Sequence, residues 1–310
     1  MVKALVAKIQ EHLAQEVYPG ASLALYRDGN WQEYYFGWAD PDQNLPSQPG
    51  LVYDLASVSK VVVTGSLILQ GVKSGALSLE ESIQSRLPQF DHPHLRVVDL
   101  LTHTSGLDPF IPNRDNLNRE ELRQAMLHLQ LRPEANYLYS DVNYILLGFF
   151  LEALYGKSLE ELVVEQVLNP LQLLSTGYGP WPGAVPTLKG NHTGQVHDPK
   201  AQVLGPHTGS AGLFSNLEDL ETYVLSQLDD ESSYLDSIHG SDSANPRSMA
   251  WRREGDWLDH TGYTGTFLLL NRKTKEAAIF LSNRTYWKDE RAQWIQDRNE
   301  LMDLIRQRTG

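Results

Sequence analysis

Apolar residues at Val2, Leu5, Val6, Ile9 and Leu13 recur at three- and four-residue spacing, which predicts an amphipathic helix over residues 3–16. Tyr18-Pro19-Gly20 stops it. Two strand-prone segments follow, residues 21–27 and 31–37, on either side of Asp28-Gly29, a dipeptide that accepts positive φ and closes a tight hairpin. From about residue 57 to 227 the spacing turns helical. Residues 61–70 form an apolar run long enough for a buried helix, and residues 143–154 form another. The Pro/Gly-rich segment 179–186 and the polar stretch 229–247 read as connections. Strand patterns return around Trp251 and Trp257 and over residues 264–270 and 277–281, with 271–275 as a turn. Residues 294–306 predict a closing helix with Ile295, Leu301, Leu304 and Ile305 apolar.

Sheet-forming pattern at both ends and helical pattern between them predict an α+β fold: an antiparallel sheet flanked by helices, with a large, mainly helical insertion. The expected division is a discontinuous sheet domain, residues 1–56 and 248–310, and a helical domain, residues 57–247. A cleft between two such layers is the default place for a site.

Composition narrows the chemistry. In 310 residues, 26 Lys and Arg stand against 39 Asp and Glu, a net charge of −13 that would repel nucleic acid or an anionic membrane surface. There is no Cys, so thiolate nucleophiles, disulfides and Cys-ligated metals are excluded. The first residues lack the apolar core of a secretory signal. The apolar run 145–151 is broken by Glu152, far short of the roughly 18 residues a spanning helix needs. The expectation is a cytoplasmic protein.

Three short motifs carry chemistry. Ser57-Val58-Ser59-Lys60 opens the apolar helix, and residues i and i+3 share a helical face, so the Lys60 amine can lie beside the Ser57 hydroxyl. A lysine kept partly neutral can take the proton of a serine and make it a nucleophile. Such a pair alone is a weak signal, since a helix start capped by serine looks the same. Tyr139-Ser140-Asp141 stands where a loop enters the second helix, and a phenol there could relay a proton to a leaving group. Packing of Tyr139 and capping by Ser140 or Asp141 explain the same residues structurally. His260-Thr261-Gly262 precedes a strand, whereas the His-Thr-Gly triplets at His192 and His207 do not. A glycine there would let substrate approach an edge backbone, and the N–H groups of Tyr263 and Ser57 could form an oxyanion hole.

In this order the motifs resemble the penicillin-recognising serine hydrolases, in the branch that holds class C β-lactamases, D-alanyl carboxypeptidases, D-aminopeptidases and related carboxylesterases. The S-x-x-K, Y-x-N-like and K/H-T-G-like elements correspond to Ser57–Lys60, Tyr139–Asp141 and His260–Gly262. Similar wording runs through PGASLALYRDG at 19–29, LLTHTSGL at 100–107, SAGLFSNLEDL at 210–220 and HTGYTGT at 260–266. The resemblance implies a β-lactamase/transpeptidase-like fold and an ester or amide hydrolase that needs no cofactor. Ser57 would be acylated, and Lys60 and Tyr139 would share general-base and relay duties. Thr261 and Gly262 would line the substrate groove, and His260 would donate to a substrate carboxylate or to Tyr139. The implied partner is a small molecule or short peptide.

Two departures bear on specificity. Asp141 stands where an asparagine amide would donate to an acylamino carbonyl, and an ionised carboxylate cannot donate, so efficient β-lactam turnover is not expected. Asn143 offers an amide two residues on. His260 replaces the commoner lysine and is mostly neutral at pH 7, which favours esters and amides over carboxylate-terminated substrates. A class C-like β-lactamase and a penicillin-binding sensor without turnover are the alternatives. His192, His197 and Asp198 lack the fixed spacing of a metal site, and His103-Thr104-Ser105-Gly106 reads as a self-bonded turn. Oligomeric state is not legible.

Overall fold

The hairpin at Asp28-Gly29 forms as its residues dictate. In the computed structural model, which describes residues 2–134, 136–240 and 242–307, Asp28 and Gly29 both take positive φ, 49° and 79°. Strands β1 (Gly20–Arg27) and β2 (Asn30–Asp40) pair directly across them, Arg27 opposite Asn30. A two-residue β3 (Leu45–Pro46) extends this edge. From the other end of the chain come β7 (Arg247–Ser248), β8 (Trp251–Glu254), β9 (Trp257–Thr261), β10 (Phe267–Asn271) and β11 (Glu276–Ser282). They complete one eight-stranded antiparallel sheet in the order β3-β2-β1-β11-β10-β9-β8-β7. A second, three-stranded sheet lies within the helical part, with β6 (Leu213–Ser215) between β4 (Tyr53–Asp54) and β5 (Gly177–Tyr178).

Both faces of the large sheet are covered at its centre, which explains why β1, β10 and β11 are apolar at nearly every position. On one face the N-terminal helix Val2–Ala14 and the C-terminal helix Arg291–Arg306 pack with Leu23, Leu25, Phe267, Leu269 and Phe280. On the other, Leu268, Leu270, Ile279 and Leu281 join the core of the helical part. Alternate residues of β10 and β11 therefore belong to different cores, as the period of two requires.

The helical part is centred on two segments. Asp141–Tyr155 is a helix buried over Val142–Leu151, and Ser140 caps it by accepting the Val142 N–H. Beside it the chain runs through a 3-10 turn, Ala56–Val58, a π-helical stretch, Lys60–Gly65, and an α-helix, Ser66–Ser74. The sequence predicted a single helix over 61–70. The π-helical turns instead widen its start, a feature often found where a side chain must be re-aimed. Ala56, just ahead of Ser57, sits at φ 47°, a left-handed conformation that costs a non-glycine residue about 1 kcal/mol. The Asp54 carboxylate holds this turn, accepting from the N–H of Ala56 at 2.8 Å and of His197 at 2.7 Å.

Candidate active site

The strained turn leaves Ser57 half-buried in an otherwise buried segment, on the wall of a cavity of about 280 Å³. Lys60 lies one turn on and fully buried, and its Nζ donates to Ser57 Oγ at 2.8 Å, to Asp141 Oδ1 at 2.7 Å and to the Ser210 carbonyl at 3.0 Å. Asp141 occupies the first position of its helix, where the dipole favours negative charge. Its second oxygen meets Lys200 Nζ at 3.1 Å. Burial pulls Lys60 toward neutrality, but the Asp141 carboxylate overrides it and holds the ammonium above its usual range. Asp141 is likewise raised by burial yet driven well below the usual carboxylate range by Lys60 and Lys200. The expectation of a partly neutral lysine is therefore not met: the carboxylate beside it keeps it charged.

Tyr139 lines the same cavity, 36% exposed, its ring centroid 5.2 Å from Lys60 Nζ. Its ring is set by a residue read from the sequence only as part of a self-bonded turn. His103 is buried, lies 4.5 Å from the Tyr139 ring centroid to centroid, and accepts the Ser140 N–H on Nδ1 at 3.2 Å. Burial and the neighbouring Arg247 and Lys60 cations push His103 well below the usual histidine range, so it is neutral. Asn143 lies behind this histidine, off the cavity: its Oδ1 accepts from Ser105 Oγ at 2.6 Å and its Nδ2 lies 3.2 Å from His103 Nδ1. Its amide is spent inside the core, not turned toward a substrate.

The third motif sits on β9. This is an interior strand, contrary to the edge expected, but its pairing with β8 ends at Asp259, so His260 and Thr261 have a free side facing the cavity. His260 is 3% exposed with no hydrogen-bond partner on either ring nitrogen among the described residues. Burial, Lys60 and Arg247 hold it neutral. Gly262 is required for a different reason from the one inferred. A Cβ there would fall 2.1 Å from Thr266 Oγ1 and 2.6 Å from the Leu55 carbonyl, so the glycine lets the strand end approach the nucleophile segment itself. Two threonines fasten that approach: Thr264 Oγ1 donates to the Asp54 carbonyl at 2.8 Å and Thr266 Oγ1 to that of Leu55 at 2.9 Å. Tyr263 lines the cavity mouth, its hydroxyl bonded to Asp289.

Five arginines also line the cavity, and the sequence reading singled out none of them. Arg291, Trp294, Ile295 and Arg298 of the C-terminal helix follow i, i+3, i+4, i+7 spacing, a one-face pattern legible in advance. A face mixing arginine with tryptophan, however, reads as ordinary surface. His192 and His197, weighed as metal ligands, bond separately, to Asp40 Oδ2 at 2.9 Å and to Thr187 Oγ1 at 3.1 Å. No helix among the described residues is long and apolar enough to cross a membrane.

A large antiparallel sheet assembled from both chain ends, a helical half inserted between them, and a serine–lysine pair at their junction define the β-lactamase/transpeptidase-like fold. The chain belongs to the β-lactamase family, whose sequence model, described as Beta-lactamase, matches residues 5–301. A relative from Escherichia coli O157:H7, provisionally named a D-alanyl-D-alanine carboxypeptidase, is 28% identical over 87% of this chain and 79% of its own length. Among solved structures, a class C β-lactamase from Rhodobacter sphaeroides superposes with a TM-score of 0.79 at 18% identity, covering 97% of this chain and 99% of that one. EstCE1, a hydrolase with promiscuous acyltransferase activity, also gives 0.79, at 17% identity and 97% of both chains. The family is one of β-lactamase-like serine hydrolases, with carboxypeptidase and esterase neighbours.

Proposed function

We propose that the chain hydrolyses an amide or ester through an acyl-enzyme on Ser57, with a carboxylate-bearing peptide as the preferred donor. The observation that carries this reading is the Ser57–Lys60–Asp141 chain of hydrogen bonds opening onto a cavity walled by guanidinium groups. The Lys60 ammonium donates to Ser57 Oγ, so Lys60 accepts the serine proton only as its own moves on. Tyr139, across the cavity wall, is the group placed to pass that proton to the leaving nitrogen or oxygen. The N–H groups of Ser57 and Tyr263 would hold the oxyanion. Neutral His260 supplies no charge, so a substrate carboxylate is held by the arginines, with Thr261 and His260 as hydrogen-bond donors. This reverses the preference for uncharged substrates that His260 suggested.

The decisive experiment follows intact mass against time with a short-chain nitrophenyl ester, on wild type and Ser57→Ala. Wild type is expected to gain and then lose the acyl mass while releasing nitrophenol; Ser57→Ala is expected to do neither. An adduct that survives the substitution would overturn the assignment.

A further inference from the structure

Cations in the cavity outnumber the carboxylates that neutralise them. Arg252 is held in a two-point pair by Asp259, at 2.8 and 3.0 Å, and Arg284 meets Asp289 at 2.6 Å. Arg247, Arg291 and Arg298 line the same space with no carboxylate within 4.0 Å among the described residues. This is unusual in a chain with 13 more acidic than basic residues (39 − 26), where carboxylates to spare could have closed those pairs.

One of the three is fully built in, not a surface side chain swung over an opening, and a second is half-buried. Arg247, on β7, is 4% exposed; it donates to the Tyr137 hydroxyl at 2.6 Å, lies 5.9 Å from the Tyr139 ring centroid, and leaves Nε without a partner. Arg298 reaches in from the C-terminal helix and donates to Thr261 Oγ1 at 3.1 Å. Burial and the nearby Arg252 push its guanidinium down to about 10, with Asp259, already paired to Arg252, only partly opposing them. Arg291 stands at the mouth, exposed, 5.4 Å from the Tyr263 ring centroid. A buried unpaired cation is unfavourable in the empty site, and a ligand that brings the missing charge recovers that cost on binding. Arg247 and Arg298 keep different neighbours, one beside Tyr139 and the other beside Thr261. Two guanidinium groups seated against different neighbours are best met by two carboxylates, one for each.

We infer that the leaving group of the preferred substrate carries two carboxylates, as an acidic C-terminal residue does: one on its main-chain terminus and one on its side chain. One faces Arg298 and Thr261, the other Arg247. The inference rests on the reading of Ser57 as nucleophile. Ser57 Oγ bonds to the acyl carbon, and the C–N bond breaks with its electron pair going to nitrogen. The serine proton, relayed through Lys60 and Tyr139, completes the free amine of the dicarboxylate. Water then adds to the acyl carbon, releasing the acyl acid and restoring the serine hydroxyl.

The test compares N-acetyl-D-Ala-D-Glu with N-acetyl-D-Ala-D-Gln, which differ by one charge at nearly constant shape, and runs the nitrophenyl ester on the same preparation. The expected result is a kcat/KM at least about tenfold higher for the D-Glu peptide, as one charge-assisted contact provides. Of Arg247→Gln and Arg298→Gln, one should bring that ratio toward one, by removing the partner of the side-chain carboxylate, and the other should lower kcat/KM for both peptides together; a ratio that neither substitution moves overturns the inference. Equal rates, a D-Gln preference, or cleavage of neither peptide while the ester still acylates Ser57 overturns the dicarboxylate inference alone. Failure of the ester to acylate Ser57 removes the reading beneath it.

Discussion

Asp141 shows how one atom changes the chemistry of a site. An asparagine there would present an N–H₂ to substrate; the carboxylate instead spans Lys60 and Lys200 and fixes the charge of the lysine that touches the nucleophile. With Lys60 raised by its partner, the deprotonated form that can accept a proton grows only on the alkaline side. Acylation should therefore climb with pH through the Lys60 titration. In Asp141→Asn burial acts on Lys60 with only Tyr139 left to oppose it, so this limb should move to lower pH by about one unit or more, with faster adduct formation at pH 7. Burst amplitudes from pH 5 to 10 would show it, and an unmoved limb would remove Lys60 from the proton path. Ser57, Lys60 and Tyr139 were legible because their residue types are few and their order is informative. The lysine's charge state was not, because it depends on a carboxylate 81 residues away. Arg247 and Arg298 stayed hidden for a similar reason, since only the fold leaves them without partners.

At the scale of elements, the end of β9 and the turn before Ser57 behave as one piece. Thr264 and Thr266 bind carbonyls of Asp54 and Leu55, and Gly262 gives them the room. Gly262→Ala would drive a methyl into the Leu55 carbonyl. The expected cost is about 1–3 kcal/mol, read by urea denaturation, together with a slower acylation of Ser57 because the turn must retreat. Wild-type stability and rate in that variant would show that the two elements are not mechanically joined. The six longer strands of the large sheet and the two terminal helices were readable from the pattern within a few residues, whereas β3 to β7, of two or three residues each, are too short to leave a period. The expected strand at 264–270 starts only at Phe267, because Thr264 and Gly265 are consumed by this contact, with Gly265 at φ 101°. The π-helical start of the nucleophile helix left no trace in the apolar pattern, which is continuous through it.

For the whole molecule, buried imidazoles and buried carboxyls pull stability in opposite directions as pH falls. His103 and His260 lie well below the usual histidine range, mainly through burial. Between their folded values and about 6.5 the unfolded chain binds more protons, so stability is full above about 6.5 and declines as pH falls beneath it. Each takes stability away between pH 7.5 and 5.5, as do His12 and His197, which burial also lowers. Asp54, raised by burial to about 6, works in the opposite sense, its protonated form being favoured in the fold as pH drops through that value. Glu221, raised to about 8 by burial and the neighbouring Glu33, works in that same opposite sense and over more of this range. Glu221→Gln removes its contribution, so the change in Tm from pH 7.5 to 5.5 should be more unfavourable in that variant than in wild type; scanning calorimetry at both values checks it, and an identical pH dependence would contradict a neutral buried Glu221.

The pairing of β1 with β11 has a consequence for how the protein is made. Ala21 lies opposite Ser282, so the first strand waits at the ribosome for a partner synthesised some 260 positions later. The nucleophile, its lysine and Asp141 are all translated before that partner exists, yet the wall carrying His260 and Thr261 joins them only when the last strands dock. A nascent chain halted ahead of Glu276 would thus hold the reactive serine without the wall that completes its cleft, and would display an apolar β1 edge to other chains. Late closure of the sheet acts as a timer, withholding the finished cleft until β9, β10 and β11 have all been made.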